Sequence, residues 1–165
     1  MTAHDDTTAL WLYDEVWGVK QDVGANLSDA ENLAYGKALL TAARGDGEIT
    51  DAERNWIMGY LSAGGHSDET LAVLRSFDGE ADFEGLFTEG VMTDPAGRRL
   101  CICDAIRACG ADGDLAEAEV AKIREMAGLL DVPAEVVDEF VDIYRQEQAL
   151  KARRIALAFE GSLVS

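Results

Sequence analysis

The most constraining feature of this sequence is an internal repeat at a spacing of 66 residues without gaps. Residues 42–53 read AARGDGEITDAE and residues 108–119 read ACGADGDLAEAE. Each copy has an Asp-Gly pair followed by acidic and apolar positions, and each ends on Glu. The match extends outward, for example from Leu40 to Ile106 and from Ile57 to Ile123. A chain with this pattern is expected to fold as two copies of one structural unit.

Apolar residues recur at helical spacing almost throughout, and strand alternation is nowhere sustained. This periodicity predicts helices at residues 8–18, 28–44, 50–63, 67–77, 95–109, 116–130 and from Pro133 to about 158.

We therefore predict an all-α fold, a compact helical bundle of about seven helices built from two pseudo-twofold-related helical repeats. A single domain is expected over residues 1–165. Repeat one covers about 28–77, repeat two covers about 94–145, and residues 8–18 form a Trp-rich N-terminal helix. The stretch between the repeats, 78–94, is rich in Gly and Asp, which indicates a loop with one short helix.

Charge and length exclude several classes of protein. A formal net charge of −18 repels phosphate backbones and anionic membrane surfaces, so we expect no nucleic-acid binding. No window approaches 18 uninterrupted apolar residues, so no membrane span is expected. The amino end lacks the basic start and apolar core of a signal peptide. Together with three crowded cysteines, Cys101, Cys103 and Cys109, this predicts a reduced, cytoplasmic protein.

The repeated acidic turn resembles the second half of a calcium-binding EF-hand loop. There, a Gly makes a sharp turn and a later Glu supplies a bidentate ligand. The first half is missing, because Ala42 and Arg44 occupy the expected acidic positions in one repeat, and Ala108 and Gly110 do so in the other. We therefore do not expect an EF-hand.

A purely structural interpretation of the same carboxylates stays open. Gly47 suits a helix C-terminus, Thr50 with Glu53 forms a capping box, and Asp51 complements the positive helix start. In the second repeat Ala116 replaces the capping Thr, so Glu119 has no side-chain partner there.

The Asp-Gly-acidic-apolar pattern at a helix end, present twice and followed each time by Glu and an Ile/Leu-rich helix, resembles the TerB-like family. That family includes the tellurite-resistance protein TerB and the N-terminal domain of DjlA-type co-chaperones. The resemblance covers about residues 28–145. It implies a bundle of seven to nine helices with a duplicated unit, and a role in bacterial stress responses that include tellurite resistance.

The resemblance also implies a divalent metal at the acidic turns. The matching positions are Asp46, Glu53, Asp112 and Glu119, with Glu48 and Asp114 secondary. This chain departs from the pattern at Arg44, where an internal ion pair with Asp46 would oppose metal binding, and in its Trp-rich N-terminus.

If the two turns meet, four to six carboxylates converge and raise one another's pKa unless a cation neutralises them. Oxygen ligands favour Ca²⁺, Mg²⁺ or Mn²⁺. Imidazole metals are not expected, because neither His4 nor His66 lies in the repeat. The cysteines are interpreted as small buried apolar residues.

The leading hypothesis is a non-enzymatic acidic protein that binds divalent cations in a stress response resembling tellurite resistance. The alternative is a structural or adaptor module, in which the acidic surface and the partner-binding residues Trp11 and Trp17 engage a basic or stress-related protein. No nucleophile or phosphate-cradling pattern supports catalysis, so a metal-dependent hydrolase ranks third. Lys151, Arg153 and Arg154 would suit an acidic patch of a second copy, which leaves a homodimer open.

Overall fold

The computed structural model describes residues 3–20, 27–87 and 94–159, with side chains described from residue 7 onward. Within these ranges the chain forms eight α-helices and no strand, which confirms the all-α prediction. The helices are α1 (Ala3–Trp17), α2 (Asp29–Ala43), α3 (Asp51–Ala63), α4 (Asp68–Ser76), α5 (Phe83–Leu86), α6 (Pro95–Cys109), α7 (Glu117–Leu129) and α8 (Ala134–Ala158). The short helix expected between the repeats is α5, while residues 88–93 of that stretch lie outside the described part.

The helix boundaries follow the repeat residue for residue. Helices α2 and α3 become α6 and α7 when 66 is added to their first and last residues, and α4 and α8 begin 66 residues apart. The packing is also reciprocal, since α2 contacts α6 and α7 while α6 contacts α2 and α3. A two-fold relation would produce this reciprocal packing, although the axis itself stays a prediction.

The helix starts are encoded locally. Ser28 and Thr50 each accept a hydrogen bond from the backbone N–H three residues later, and the Glu at that position bonds back to the cap. Asp94 caps α6, whose first residue, Pro95, has the fixed φ that suits a helix start. These caps satisfy backbone donors that the helix cannot pair, so the starts are specified before tertiary packing.

The core lies between the two repeats and is mostly apolar. Leu40, Ile57, Ile102, Ile106 and Ile123 have no exposed surface, as their helical spacing predicts. The apolar positions predicted on α8 are less uniform, because Val136 and Phe140 are only half-buried while Tyr144 is buried. Helix α1 begins five residues before its predicted start and packs on α3.

Candidate functional site

The two acidic turns have the same backbone geometry. Gly47 and Gly113 take φ values of 117° and 102°, in the left-handed region that favours glycine. The Asp before each glycine accepts a hydrogen bond from the backbone N–H two residues on, from Glu48 to Asp46 at 3.3 Å and from Asp114 to Asp112 at 2.9 Å. These four acidic side chains are exposed, and the two Asp carboxylates stabilise their own turns.

Glu53 and Glu119 differ from the other carboxylates of the repeat because each is only 3% exposed. Glu53 Oε2 accepts hydrogen bonds from Thr50 N at 2.6 Å and from Thr50 Oγ1 at 2.8 Å. Glu119 Oε2 accepts one from Ala116 N at 2.8 Å, so half of the capping box persists without the Thr. Both side chains thus fold back over the positive N-terminus of their helix, α3 or α7.

The two buried glutamates lie against each other. Burial raises the pKa of Glu119, a hydrogen-bonding contact with Glu53 raises it further, and the Ala116 N–H opposes the shift. The thiol of Cys109, at the end of α6, contacts Glu119. Burial, and then the charges of Glu119 and Glu53, raises the pKa of this thiol well above its usual range. We call Glu53 and Glu119 the glutamate pair.

Close backbone approach brings the pair together. A Cβ on Gly45 would lie 2.7 Å from Glu119 Cα and 3.0 Å from Ala118 O, so the first turn packs directly on the start of α7. In the second turn Tyr144 of α8 donates a hydrogen bond to Gly110 O, and the Tyr144 ring occupies the space that a Cβ there would fill.

The structure does not gather the other predicted metal ligands around the pair. The charge of Asp46 contributes to the raised pKa of Glu119, and the charge of Asp112 contributes to the raised pKa of Tyr144. The side chains of Glu48 and Asp114 are exposed. Within residues 3–20, 27–87 and 94–159 no group of three or more His, Cys, Asp or Glu side chains is arranged to hold a metal ion. The carboxylates of the glutamate pair remain the strongest candidate ligands. Mg²⁺ can bind to one or two carboxylates when water molecules complete its coordination shell.

Arg44 does not form the ion pair with Asp46 that the sequence suggested. Its guanidinium instead lies 2.7 Å from Glu80, beyond the end of α4. The chain reverses at Gly79, whose φ is 82°, and this brings Glu80 beside α2. Arg44 therefore does not neutralise Asp46 through a direct ion pair.

The two tryptophans proposed for partner binding occupy different environments. The side chain of Trp11 is 60% exposed on α1. Trp17 is half-buried, donates from Nε1 to Tyr60 Oη at 3.2 Å, and lies under the Arg107 guanidinium. Only Trp11 is therefore available to a partner without disturbing internal packing.

A buried polar cluster around Asp104 escaped the sequence reasoning. Asp104 is 1% exposed and accepts a hydrogen bond from Tyr35 Oη at 2.6 Å. Burial raises its pKa to about 6, against the opposing hydrogen bonds from Tyr35 and Tyr60. An Asp on the buried face of α6, among Cys101, Ala105 and Ala108, was the signal that could have identified it.

The family model described as tellurite resistance protein TerB matches residues 32–142, more than half of the chain. This chain belongs to the TerB family. A crystal structure of a tellurite resistance protein from Nostoc punctiforme is similar over its whole length, with a TM-score of 0.76 and 27% sequence identity. The similarity covers 100% of this chain and 99% of that one. No curated protein matches the chain.

The described helices of this TerB-family chain include none that is both long enough and apolar enough to cross a bilayer. This agrees with the sequence, which contains no long uninterrupted apolar run.

Proposed function

We propose that this TerB-family chain is a non-enzymatic, cytoplasmic protein that binds a divalent cation at the glutamate pair and acts in a stress response of the tellurite-resistance type. The observation that carries the proposal is the contact between two carboxylates that are each 3% exposed. Two buried like charges destabilise a fold unless a proton or a cation lies between them.

The donor chemistry supports a hard cation. Both side chains offer carboxylate oxygens, and the capping hydrogen bonds of each end on Oε2. The adjacent Cys109 thiol is held neutral by its raised pKa, so it offers little to a metal that prefers thiolate. Ca²⁺, Mg²⁺ and Mn²⁺ are the cations that this set suits, and the net charge of −18 attracts them to the surface.

The test is thermal unfolding of chelator-treated protein with each of Ca²⁺, Mg²⁺, Mn²⁺ and Zn²⁺, against NaCl of matched ionic strength. A cation at a hundred times its Kd stabilises by about 2.7 kcal/mol, which raises Tm by roughly 5–11 °C in a chain of this size. Glu119→Gln should remove the cation-specific shift.

The matched control is Glu31→Gln, which changes the same capping position on the exposed start of α2. It should leave the cation-specific shift intact. The double variant Asp46→Asn and Asp112→Asn shows whether the turn carboxylates contribute to the cation-specific shift in Tm. Equal small shifts for all cations, or a shift that survives Glu119→Gln, would overturn metal binding at the pair.

The stress role needs a separate test in cells. A source strain that lacks this chain should regain tellurite tolerance with the wild-type protein and not with Glu119→Gln. Equal tolerance with both would disconnect the glutamate pair from the response.

A second candidate function is an adaptor, and the exposure of α1 favours it. Leu10 is 43% exposed beside Trp11, which gives α1 an apolar face available to another protein. Partner capture should be lost in Trp11→Ala and kept in Glu119→Gln. Trp17→Ala is not a clean probe, because it breaks the Tyr60 contact. If capture survives Trp11→Ala, α1 is not the binding surface.

A further inference from the structure

The second half of α8 is mostly exposed, and part of it forms one wall of an open cavity whose other wall includes Trp56 and Arg107. The buried residues of this helix are Val137, Val141 and Tyr144, all in its first half. Beyond Tyr144 every side chain through Ala158 is exposed except the half-buried Gln148. At 1.5 Å per residue, this part of α8 is about 20 Å long.

An apolar stripe follows α8 on the side away from its buried residues. Ile143, Leu150 and Leu157 recur every seven residues and are 40%, 65% and 75% exposed. At 100° per residue, these three residues lie about 130–170° around the helix from the mean direction of Val141 and Tyr144, which are buried against the body. Apolar residues at this spacing form the seam along which two helices pack.

The charges of α8 are divided between its two ends. The stretch from Ala134 to Glu147 has five acidic residues and one basic residue, whereas the stretch from Gln148 to Ala158 has three basic residues and none that is acidic. The acidic residues are Glu135, Asp138, Glu139, Asp142 and Glu147, and the basic residues of the second stretch are Lys151, Arg153 and Arg154. Such a helix is complementary to a copy of itself that runs in the opposite direction.

We propose that two copies of this chain pair through α8 in antiparallel orientation, about a two-fold axis at Leu150. Each Ile143 then lies opposite Leu157 of the second copy, and each Glu147 lies beside the second copy's Arg153 and Arg154. The axis is set by the stripe, because Leu150 is its central residue. Glu147 is free to change partner, since its internal ion pair with Arg107 is long, at 3.9 Å.

The same helix is a poor match to an anionic lipid surface. Its basic end adjoins five acidic residues of the same helix, in a chain of net charge −18. Those charges repel a negative headgroup, whereas a second copy places acidic positions opposite the basic end.

Disulfide trapping tests both the pairing and its direction. Under mild oxidation Leu150→Cys should form covalent dimers readily, because a residue on the axis meets its own copy. Ala152→Cys, exposed on the other side of α8, is the matched control and should cross-link several-fold less. Cys101 and Cys109 are buried, and Cys103 is half-buried, so the native thiols contribute a low background.

The ends of the stripe distinguish the two directions. Ile143→Cys and Leu157→Cys should cross-link when the two proteins are mixed and much less when each is oxidised alone. Cross-linking of each alone, without a gain on mixing, would mean a parallel pair and would overturn the antiparallel arrangement.

Sedimentation velocity measures the affinity without covalent trapping. Wild-type protein should pass from the 17.8 kDa chain to twice that mass as concentration rises. Arg154→Glu should weaken dimerisation about tenfold or more, and adding Glu147→Arg should restore it by exchanging the charges. The changed side chains are exposed, so the thermal transition should stay intact.

Two results would overturn the proposal. One is a monomer at every soluble concentration, with Leu150→Cys and Ala152→Cys cross-linking equally. The other is a monomer that sediments with phosphatidylserine vesicles and loses that binding in Leu150→Glu, because the stripe would then be a lipid contact.

Discussion

Asp104 shows how one buried carboxyl group makes stability depend on pH. It lies on α6, where it accepts a hydrogen bond from Tyr35 of α2 at 2.6 Å. Tyr60 of α3 lies close enough to lower the pKa of Asp104, and its hydroxyl accepts the indole N–H of Trp17, so polar groups connect α1 to α6. When Asp104 loses its proton, a negative charge is buried among these polar groups, and this favours unfolding.

The pH dependence follows from the pKa of Asp104, which burial raises to about 6 from 3.8. The folded state therefore holds the proton more tightly, and this contribution to stability is full below about pH 4 and is lost as pH rises through about 6. We expect Asp104→Asn to gain roughly 2–3 kcal/mol relative to wild type between pH 4 and pH 7. Urea unfolding at several pH values measures the difference.

The control for this prediction is Asp14→Asn, which changes an exposed Asp on α1. It should follow the wild-type pH profile. A difference between Asp104→Asn and wild type that is independent of pH would show that Asp104 does not titrate in this range.

At the scale of the element, α3 begins with a complete capping box and α7 with a partial one. Thr50 accepts a hydrogen bond from Glu53 N, and Glu53 bonds back to the cap. Ala116 has no side-chain acceptor, so only the bond from its N–H to Glu119 is present. The backbone at Ala116, with φ −66° and ψ 146°, already has the extended conformation of a capping residue.

Ala116→Ser should therefore stabilise the protein by about 0.5–1 kcal/mol, because the hydroxyl pairs with a backbone donor that now lacks a side-chain acceptor. Thr50→Ala should cost about 0.5–2 kcal/mol by the reverse change. Urea midpoints at a constant m-value report both variants. If Ala116→Ser left the stability unchanged, another acceptor would already pair with the backbone N–H at the start of α7.

At the scale of the whole molecule, glycine at position 45 permits the contact between the repeats. The first turn lies so close to α7 that a methyl group would meet the backbone at Glu119 and Ala118, which cannot move aside as a side chain can. The site depends on this approach, because it carries Glu53 and Glu119 into contact.

Gly45→Ala should destabilise the protein by about 1–3 kcal/mol, since it forces the repeats apart. Gly59→Ala is the matched control, because this helical glycine of α3 has nothing within 4 Å of an added Cβ. It should be neutral or stabilise by up to about 1 kcal/mol through its higher helix propensity. Equal effects of the two variants would show that the repeats are not held this closely.

Much of the fold could be predicted from the sequence. Helical periodicity and the 66-residue repeat predicted the all-α class and the positions of the helices, because spacing and capping residues act locally. The acidic positions were also evident, but the sequence ranked the exposed Asp46 and Asp112 equally with the buried Glu53 and Glu119. All four belong to the repeated Asp-Gly segments, and only tertiary packing buries two of them.

Local signals in the sequence thus determined which segments become helices, where they begin, and that the chain holds two similar units. The tertiary structure decided which of six acidic residues meet, that Arg44 pairs with Glu80, and that Asp104 is buried among tyrosines. The physical reason is range. Helix starts and turns depend on neighbours within a few residues, whereas burial and pKa depend on which distant surfaces come into contact when the two repeats pack.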